Sequence, residues 1–373
     1  MTVLISALAF VLLLTLLILI HEWGHFAAAR KFGVTVEEFG FGLPPVAKKL
    51  FTHKGTEFTL NWIPFGGFVR LKGENADADG ERKSKGNFNA APIPHRLAIL
   101  LAGVFMNLLL ALSLLTIGFS FGHWVPSFTT YDEMETAAER GDIHLVLGVM
   151  IDEVVSGGGA AKIGVPAKSV LRSVDGVAIS RFEDLIKFQQ GKTRATYVVS
   201  RLKGHELLSS TESYTVPLKE GKSGVVVVPY PLELWAPNHN VAVAFVMALR
   251  EAKIMTVQTV IGIGHLFSSL ARTATVPEGI SGIIGIAQLT HASIQEGFMH
   301  YLRLVALLSL SLAILNVLPF PALDGGRVVF VLAEWVRRKP LNRRFEIVTN
   351  TVGFAILIVI ILLITFHDIA GLL

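Results

Sequence analysis

Residues 3–25 read VLISALAFVLLLTLLILIHEWGH, with no charge from Val3 to Ile20 and then His21-Glu22-Trp23-Gly24-His25. An apolar run of that length approaches the roughly 20 residues that cross a hydrocarbon core about 30 Å thick. The stretch closing it is H-E-x-x-H, which on a helix sets two imidazoles at i and i+4 on one face. Neutral imidazoles suit Zn²⁺, and Glu22 between them can take a proton from water that the metal acidifies. A surface helix with two incidental histidines is the plainer alternative. Position weighs against it, because ionisable groups at a membrane span are costly and functional by default.

The remaining hydrophobicity is concentrated in Leu97–Trp124, uncharged apart from His123, and in Leu304–Val317 and Ile347–Phe366. Four transmembrane helices are therefore expected. Of the 373 residues 52% are hydrophobic and 17% charged, against about 25% charged in a typical soluble domain. That balance speaks against an ordinary cytosolic enzyme and against disorder. The net charge of +4 is modest and segregated, so no nucleic acid is expected as a partner. Cysteine is absent, so any metal is held by His, Asp or Glu. A signal peptide does not fit the first run, which lacks a positive n-region and is too long for an h-region.

Lys and Arg give an orientation. None precedes Arg30 or follows Arg344, while eleven lie between Arg30 and Arg96 and five between Arg337 and Arg344. The positive-inside rule places both loops in the cytoplasm. Both termini and the long segment Gly122–Asn240 are then outside, since long loops translocate largely regardless of charge. Val241–Leu270 is apolar but carries Arg250, Glu251, Lys253, Gln258 and His265. It is expected as an amphipathic helix on the outer membrane surface. The chain thus divides into residues 1–30 (first span), 31–95 (cytoplasmic loop with a β-hairpin), 96–122 (second span) and 123–239 (outer domain). There follow 240–296 (surface helix and connector), 297–336 (third span), 337–346 (cytoplasmic loop) and 347–373 (fourth span).

A catalytic zinc takes three protein ligands and keeps a fourth position open. Asp324, in Asn316-Val317-Leu318-Pro319-Phe320-Pro321-Ala322-Leu323-Asp324-Gly325-Gly326, is the only acid between Glu296 and Glu334. Composition alone reads it as a turn Asp before two glycines. Topology favours the ligand: span one ends inside at His25, span two returns outward, and span three re-enters at Asp324. A crossing by Val241–Leu270 would put Asp324 on the wrong side, so crossing parity links the surface-helix reading to the ligand.

H-E-x-x-H paired with N-x-x-P-x-P-x-x-D-G-G resembles the site-2 protease family of intramembrane zinc metalloproteases, the bacterial regulator of sigma-E protease type. The resemblance extends to Gly40-Phe41-Gly42, Gly55-Thr56-Glu57, Ile63-Pro64-Phe65-Gly66-Gly67, the Gly103–Asn107 stretch and Ser281-Gly282. It implies one Zn²⁺ per chain, with His21, His25 and Asp324 as ligands and Glu22 as general base. It also implies cleavage of single-span membrane proteins, anti-sigma factors or remnant signal peptides, in the bacterial inner membrane. Val104, Ile283 and Arg327 depart from the family pattern, where Pro, Pro and His are common.

A substrate helix must unwind before its carbonyls can be attacked, and unwound backbone in a membrane needs substitute partners. Glu57-Phe58-Thr59-Leu60, Asn61–Gly67 and Phe68–Leu71 read as a hairpin whose edge accepts the substrate as an added strand; a plain cytoplasmic hairpin is the alternative. Asn316 is either a hydrogen-bonding partner for that substrate, as the resemblance implies, or a helix-packing Asn. Pro319 and Pro321 break the third span beside the site. In the outer segment, apolar–polar alternation at 147–151, 170–177, 195–202 and 224–229, with a short helix at 182–189, resembles an α/β PDZ domain. A catalytically silent membrane adaptor using that domain is the rival reading. It would be free to lose Glu22.

Overall fold

The computed structural model describes residues 2–73, 84–203, 206–277 and 279–371. Two compact units divide the chain, Met1–Gly122 with His239–Leu373, and His123–Asn238. The first unit opens with α1 (Thr2–Lys31), the strands β1 (Val36–His53) and β2 (Thr56–Leu71), and α2 (Ile93–Phe121). Pro92 caps α2 and a proline sits in its first turn, where the missing N–H costs nothing. Leu13 and Leu17 of α1 pack beside Leu110 and Leu114 of α2, while His25 lies at Ile99, so the two helices run antiparallel.

The second unit holds α3 (Tyr131–Glu139), β3 (His144–Val154), α4 (Gly159–Ile163), β4 (Ser169–Val174), β5 (Val177–Ala178) and α5 (Phe182–Gln189). It continues with β6 (Arg194–Lys203), β7 (Glu206–Pro217) and β8 (Val225–Trp235). The strands form an antiparallel sheet in the order β7-β6-β4-β3-β8, with β5 paired to β4. Its core gathers Ile151, Leu171, Val174, Leu185, Val199 and Tyr197. Asp175 and Gly176 both take positive φ in the tight β4–β5 turn, as a two-residue hairpin turn requires. The predicted strands and helix are present. β7 and α3 were not anticipated; α3 starts at Thr130, whose side chain accepts from the Glu133 N–H.

After this unit come α6 (Val241–Thr273), α7 (Ile283–Glu296), α8 (Phe298–Val317), α9 (Asp324–Arg337) and α10 (Arg343–Ala370). Among the described residues five helices, α1, α2, α6, α8 and α10, are long and apolar enough to cross a membrane, where four spans were expected. The difference is α6. It starts at the C-terminal end of α2, where the His239 N–H donates to the Phe119 carbonyl at 3.2 Å. Ala252 and Met255 then cluster with Ala111 of α2 and Leu310 of α8, and Phe267 meets Phe320 beyond the end of α8 with ring centroids 6.4 Å apart. The helix expected on the outer membrane surface, α6, lies alongside α2 and α8. Its buried side is Ala244, Met247, Ala248, Ala252 and Leu266 plus Glu251, which is 1% exposed and pairs with Arg303 of α8 at 3.6 Å.

The chain nevertheless comes back to the end from which α6 set out. Backbone N–H groups of Gly282 and Gly285 donate to Asp368, near the C-terminus of α10, and His291 bonds Ser6 near the N-terminus of α1 at 2.7 Å. From there α8 runs parallel to α1, with the Tyr301 hydroxyl donating to the Ala9 carbonyl at 3.0 Å. The chain at Gly282 is therefore back at the end of the helices where α6 begins.

The β-region departs from expectation in register. Glu57–Leu60 and Phe68–Leu71 are not paired with each other. The Glu38–Phe41 segment lies between them, with Phe39 opposite both Phe58 and Val69. Phe58 is also opposite Phe51, so the Glu57–Leu60 segment has a strand on either side. The physical reason is burial: Val36 and Phe39 are 1% and 2% exposed, and a strand buried that deeply takes the middle of a sheet.

Candidate metal centre

Position along α1 carries His21 and His25 onto the face that meets α2 and α9. Close approach is possible because glycine stands on both helices. A Cβ on Gly24 would come within 2.3 Å of the Ala102 carbonyl oxygen, and one on Gly103 within 2.4 Å of His25 Nε2. Pro319 and Pro321 keep residues 318–323 out of helix, since proline removes a donor and clashes with the preceding turn. Helix resumes with Asp324 in the first turn of α9, a favourable place for a carboxylate. Gly325 and Gly326 let that turn fold tightly, since Cβ atoms there would fall 2.2 Å and 2.3 Å from the Leu318 and Phe320 carbonyl oxygens.

The result is convergence. Asp324 Oδ2 lies 2.9 Å from His21 Nε2 and 3.3 Å from His25 Nε2, and the two Nε2 atoms are 3.2 Å apart. Ligands about 2.0–2.1 Å from a tetrahedral Zn²⁺ lie roughly 3.3 Å from one another, so these three atoms fit one ion. His21 and His25 are 7% and 9% exposed. His25 Nδ1–H donates to the Ile99 carbonyl at 2.8 Å, which leaves Nε2 with its lone pair toward the ligand cluster. No other group of three His, Asp or Glu side chains with this spacing occurs among the described residues.

A cavity of about 330 Å³ adjoins the cluster. His21, Glu22, His25, Asn316 and Asp324 all line it, so five of the residues singled out in the sequence are brought together. Pro319 and Pro321 do not line it; they shape the break before Asp324, and Pro321 packs at Gly353 of α10. Glu57, Phe58, Thr59 and Leu60 lie away from the cavity. Glu57 pairs with Lys49 at 2.9 Å, the Thr59 hydroxyl donates to Glu38 at 2.7 Å, and Phe58 stacks on Phe51. The β-segment that reaches the cavity is the other one, through Phe68, Val69 and Leu71, and Gly67 sits close to Glu22. Arg327 also lines the cavity, with its guanidinium 6.0 Å from the centre of the Phe88 ring. Gly103 and Asn107 are further residues at the centre, four apart on one face of α2. A polar amide inside an apolar run was the available signal for Asn107.

Two imidazoles, a carboxylate and a neighbouring acid between apolar helices define, at the level of class, a metallohydrolase of the membrane. The comparison with known proteins narrows this. The description of peptidase family M50 matches residues 9–360. A Campylobacter jejuni protein named as a zinc metalloprotease is 30% identical over 379 aligned residues, covering 98% of this chain and 94% of the relative. A Clostridium perfringens protein so named is also 30% identical, over 95% of each chain, and Protease RseP of Yersinia pestis is 25% identical over 99% of each. The chain belongs to peptidase family M50, the site-2 proteases, and is a zinc metalloprotease.

Proposed function

We propose that this protease cuts single-span membrane proteins, anti-sigma factors or remnant signal peptides, within or at the edge of the bilayer. The observation carrying the reading is that His21, His25 and Asp324 converge where three apolar helices, α1, α2 and α8, meet the break at 318–323. In the proposed topology α1, α2, α8 and α10 cross the inner membrane. α6 dips in beside α2, and the chain is back at the outer end by Gly282. The termini and the 123–238 unit are periplasmic, and the site faces the cytoplasmic side, where the basic loops lie.

Zn²⁺ supplies Lewis acidity toward the scissile carbonyl and lowers the pKa of water. Glu22 takes the proton from the attacking water and passes it to the leaving amine. The unwound substrate adds to the Gly67–Leu71 segment, which has a strand partner on one side only and borders the cavity. Asn316 donates to the exposed substrate backbone. The 123–238 unit acts as a PDZ-like gate, a reading supported by its antiparallel sheet with three short helices.

The test is co-expression with a tagged single-span substrate, comparing wild type with Glu22→Gln. Cleavage is expected to vanish while bound zinc survives. Equal processing by both proteins refutes the mechanism, and loss of zinc from the variant assigns Glu22 a different role.

A further inference from the structure

We infer that Asn107 is a positioning residue that selects the tautomer of His21. The side chain of Asn107 is fully buried, and its Nδ2 lies 3.4 Å from His21 Nδ1. Its Oδ1 has no hydrogen-bond partner among the described residues. A buried amide oxygen without a donor costs free energy, so the arrangement calls for an explanation.

The explanation lies in the two ends of the amide. With Nδ2 toward the imidazole, Nδ1 must accept, and the ring proton sits on Nε2, donating to Asp324 at 2.9 Å. That tautomer cannot ligate a metal through Nε2. Turned over about its Cβ–Cγ bond, the amide presents Oδ1 to Nδ1, which then carries the proton and leaves the Nε2 lone pair free. The same turn removes the orphaned acceptor. His25 has no such choice, since the Ile99 carbonyl can only accept and fixes its proton on Nδ1. One ligand is therefore locked in the metal-binding tautomer by backbone, and the other is set by an amide with two orientations. The acceptor that orients a histidine ligand is typically worth 10- to 100-fold in metal affinity.

The experiment compares Asn107→Leu, close in shape but without an acceptor, with Asn107→Asp, an acceptor only. Zinc affinity of the detergent-solubilised full chain is measured by competition with a chromophoric chelator, and thermal stability is measured without metal. Asn107→Leu is expected to bind zinc 10- to 100-fold more weakly, with metal-free stability near wild type. Asn107→Asp should hold zinc at least as tightly as wild type. Wild-type affinity in Asn107→Leu overturns the inference, and so does loss in Asn107→Asp equal to that in Asn107→Leu. If Asn107→Leu does not fold, Asn107→Asp decides alone: a folded variant with weakened zinc binding overturns it.

Discussion

Gly103→Ala tests how the metal centre depends on helix spacing. The added Cβ would stand 2.4 Å from His25 Nε2 and 2.7 Å from His21 Cε1, about 1 Å inside ordinary contact. No slack remains between the two helices here, because Gly24 already brings α1 against the Ala102–Gly103 backbone. Either α2 moves away from α1 or both imidazoles turn aside. Overpacking of this kind costs about 1–3 kcal/mol, and alanine returns about 0.5–1 kcal/mol through helix propensity. The net loss of stability is then at most about 2.5 kcal/mol. The metal is affected more strongly, since zinc bond lengths tolerate only about ±0.2 Å. Zinc affinity should fall at least tenfold, about 1.4 kcal/mol, read by chelator competition alongside thermal unfolding. Gly262→Ala on α6 is the control: its Cβ meets nothing within 4 Å, and zinc binding should not change. Full zinc occupancy and unimpaired proteolysis in Gly103→Ala refute the reasoning.

Other expectations follow from interactions away from the cluster. Glu334 is bound by Arg96 at 2.6 Å and also accepts the Leu341 N–H. Glu334→Ala leaves a buried guanidinium unpaired and should cost about 3–5 kcal/mol, while Arg96→Met with Glu334→Leu should cost less in the same thermal unfolding assay. In the 123–238 unit, a hydrogen bond from Lys192 and the Thr196 N–H hold the Asp175 carboxyl below its ordinary range. Its folded-state pKa is depressed, so its contribution is present above the unfolded carboxylate pKa of about 3.9 and is lost as pH falls below it. Asp175→Asn keeps a residue tolerant of the turn and should flatten stability against pH in that range; an unchanged profile refutes the assignment. The absence of native cysteine allows single-site labelling of α6. Gln258→Cys should resist a membrane-impermeant maleimide from either side if α6 is immersed, whereas rapid labelling returns α6 to the membrane surface.

The metal centre is legible in sequence because its parts are local or isolated. H-E-x-x-H needs only helical spacing, and Asp324 stands out as a lone acid between Glu296 and Glu334. The course of α6 is not legible, because one apolar face looks the same whether it meets lipid or neighbouring helices. The β-region misleads for a related reason. Glu57–Leu60 and Phe68–Leu71 are each sound strands, but register is set by what lies between them, and tertiary burial of Phe39 decides that. β7 lacks the apolar alternation of its neighbours. α3 carried a readable mark, Thr130 followed by Glu133: the Thr130 hydroxyl accepts from the Glu133 N–H, and the Glu133 carboxylate accepts from the Thr129 N–H.

The pair of Glu251 and Arg303 constrains how the protein is made. A charge at the centre of a membrane helix costs about 2.5–3.5 kcal/mol on insertion, and Glu251 is synthesised well before Arg303, with which it pairs. In the proposed topology α6 lacks the Arg303 half of that pair until α8 has entered the bilayer. Its docking is then a late step, waiting at the periplasmic surface while α7 and α8 are delivered. Assembly would proceed inward from the helices that hold the metal, with α6 closing over α2 and α8 last.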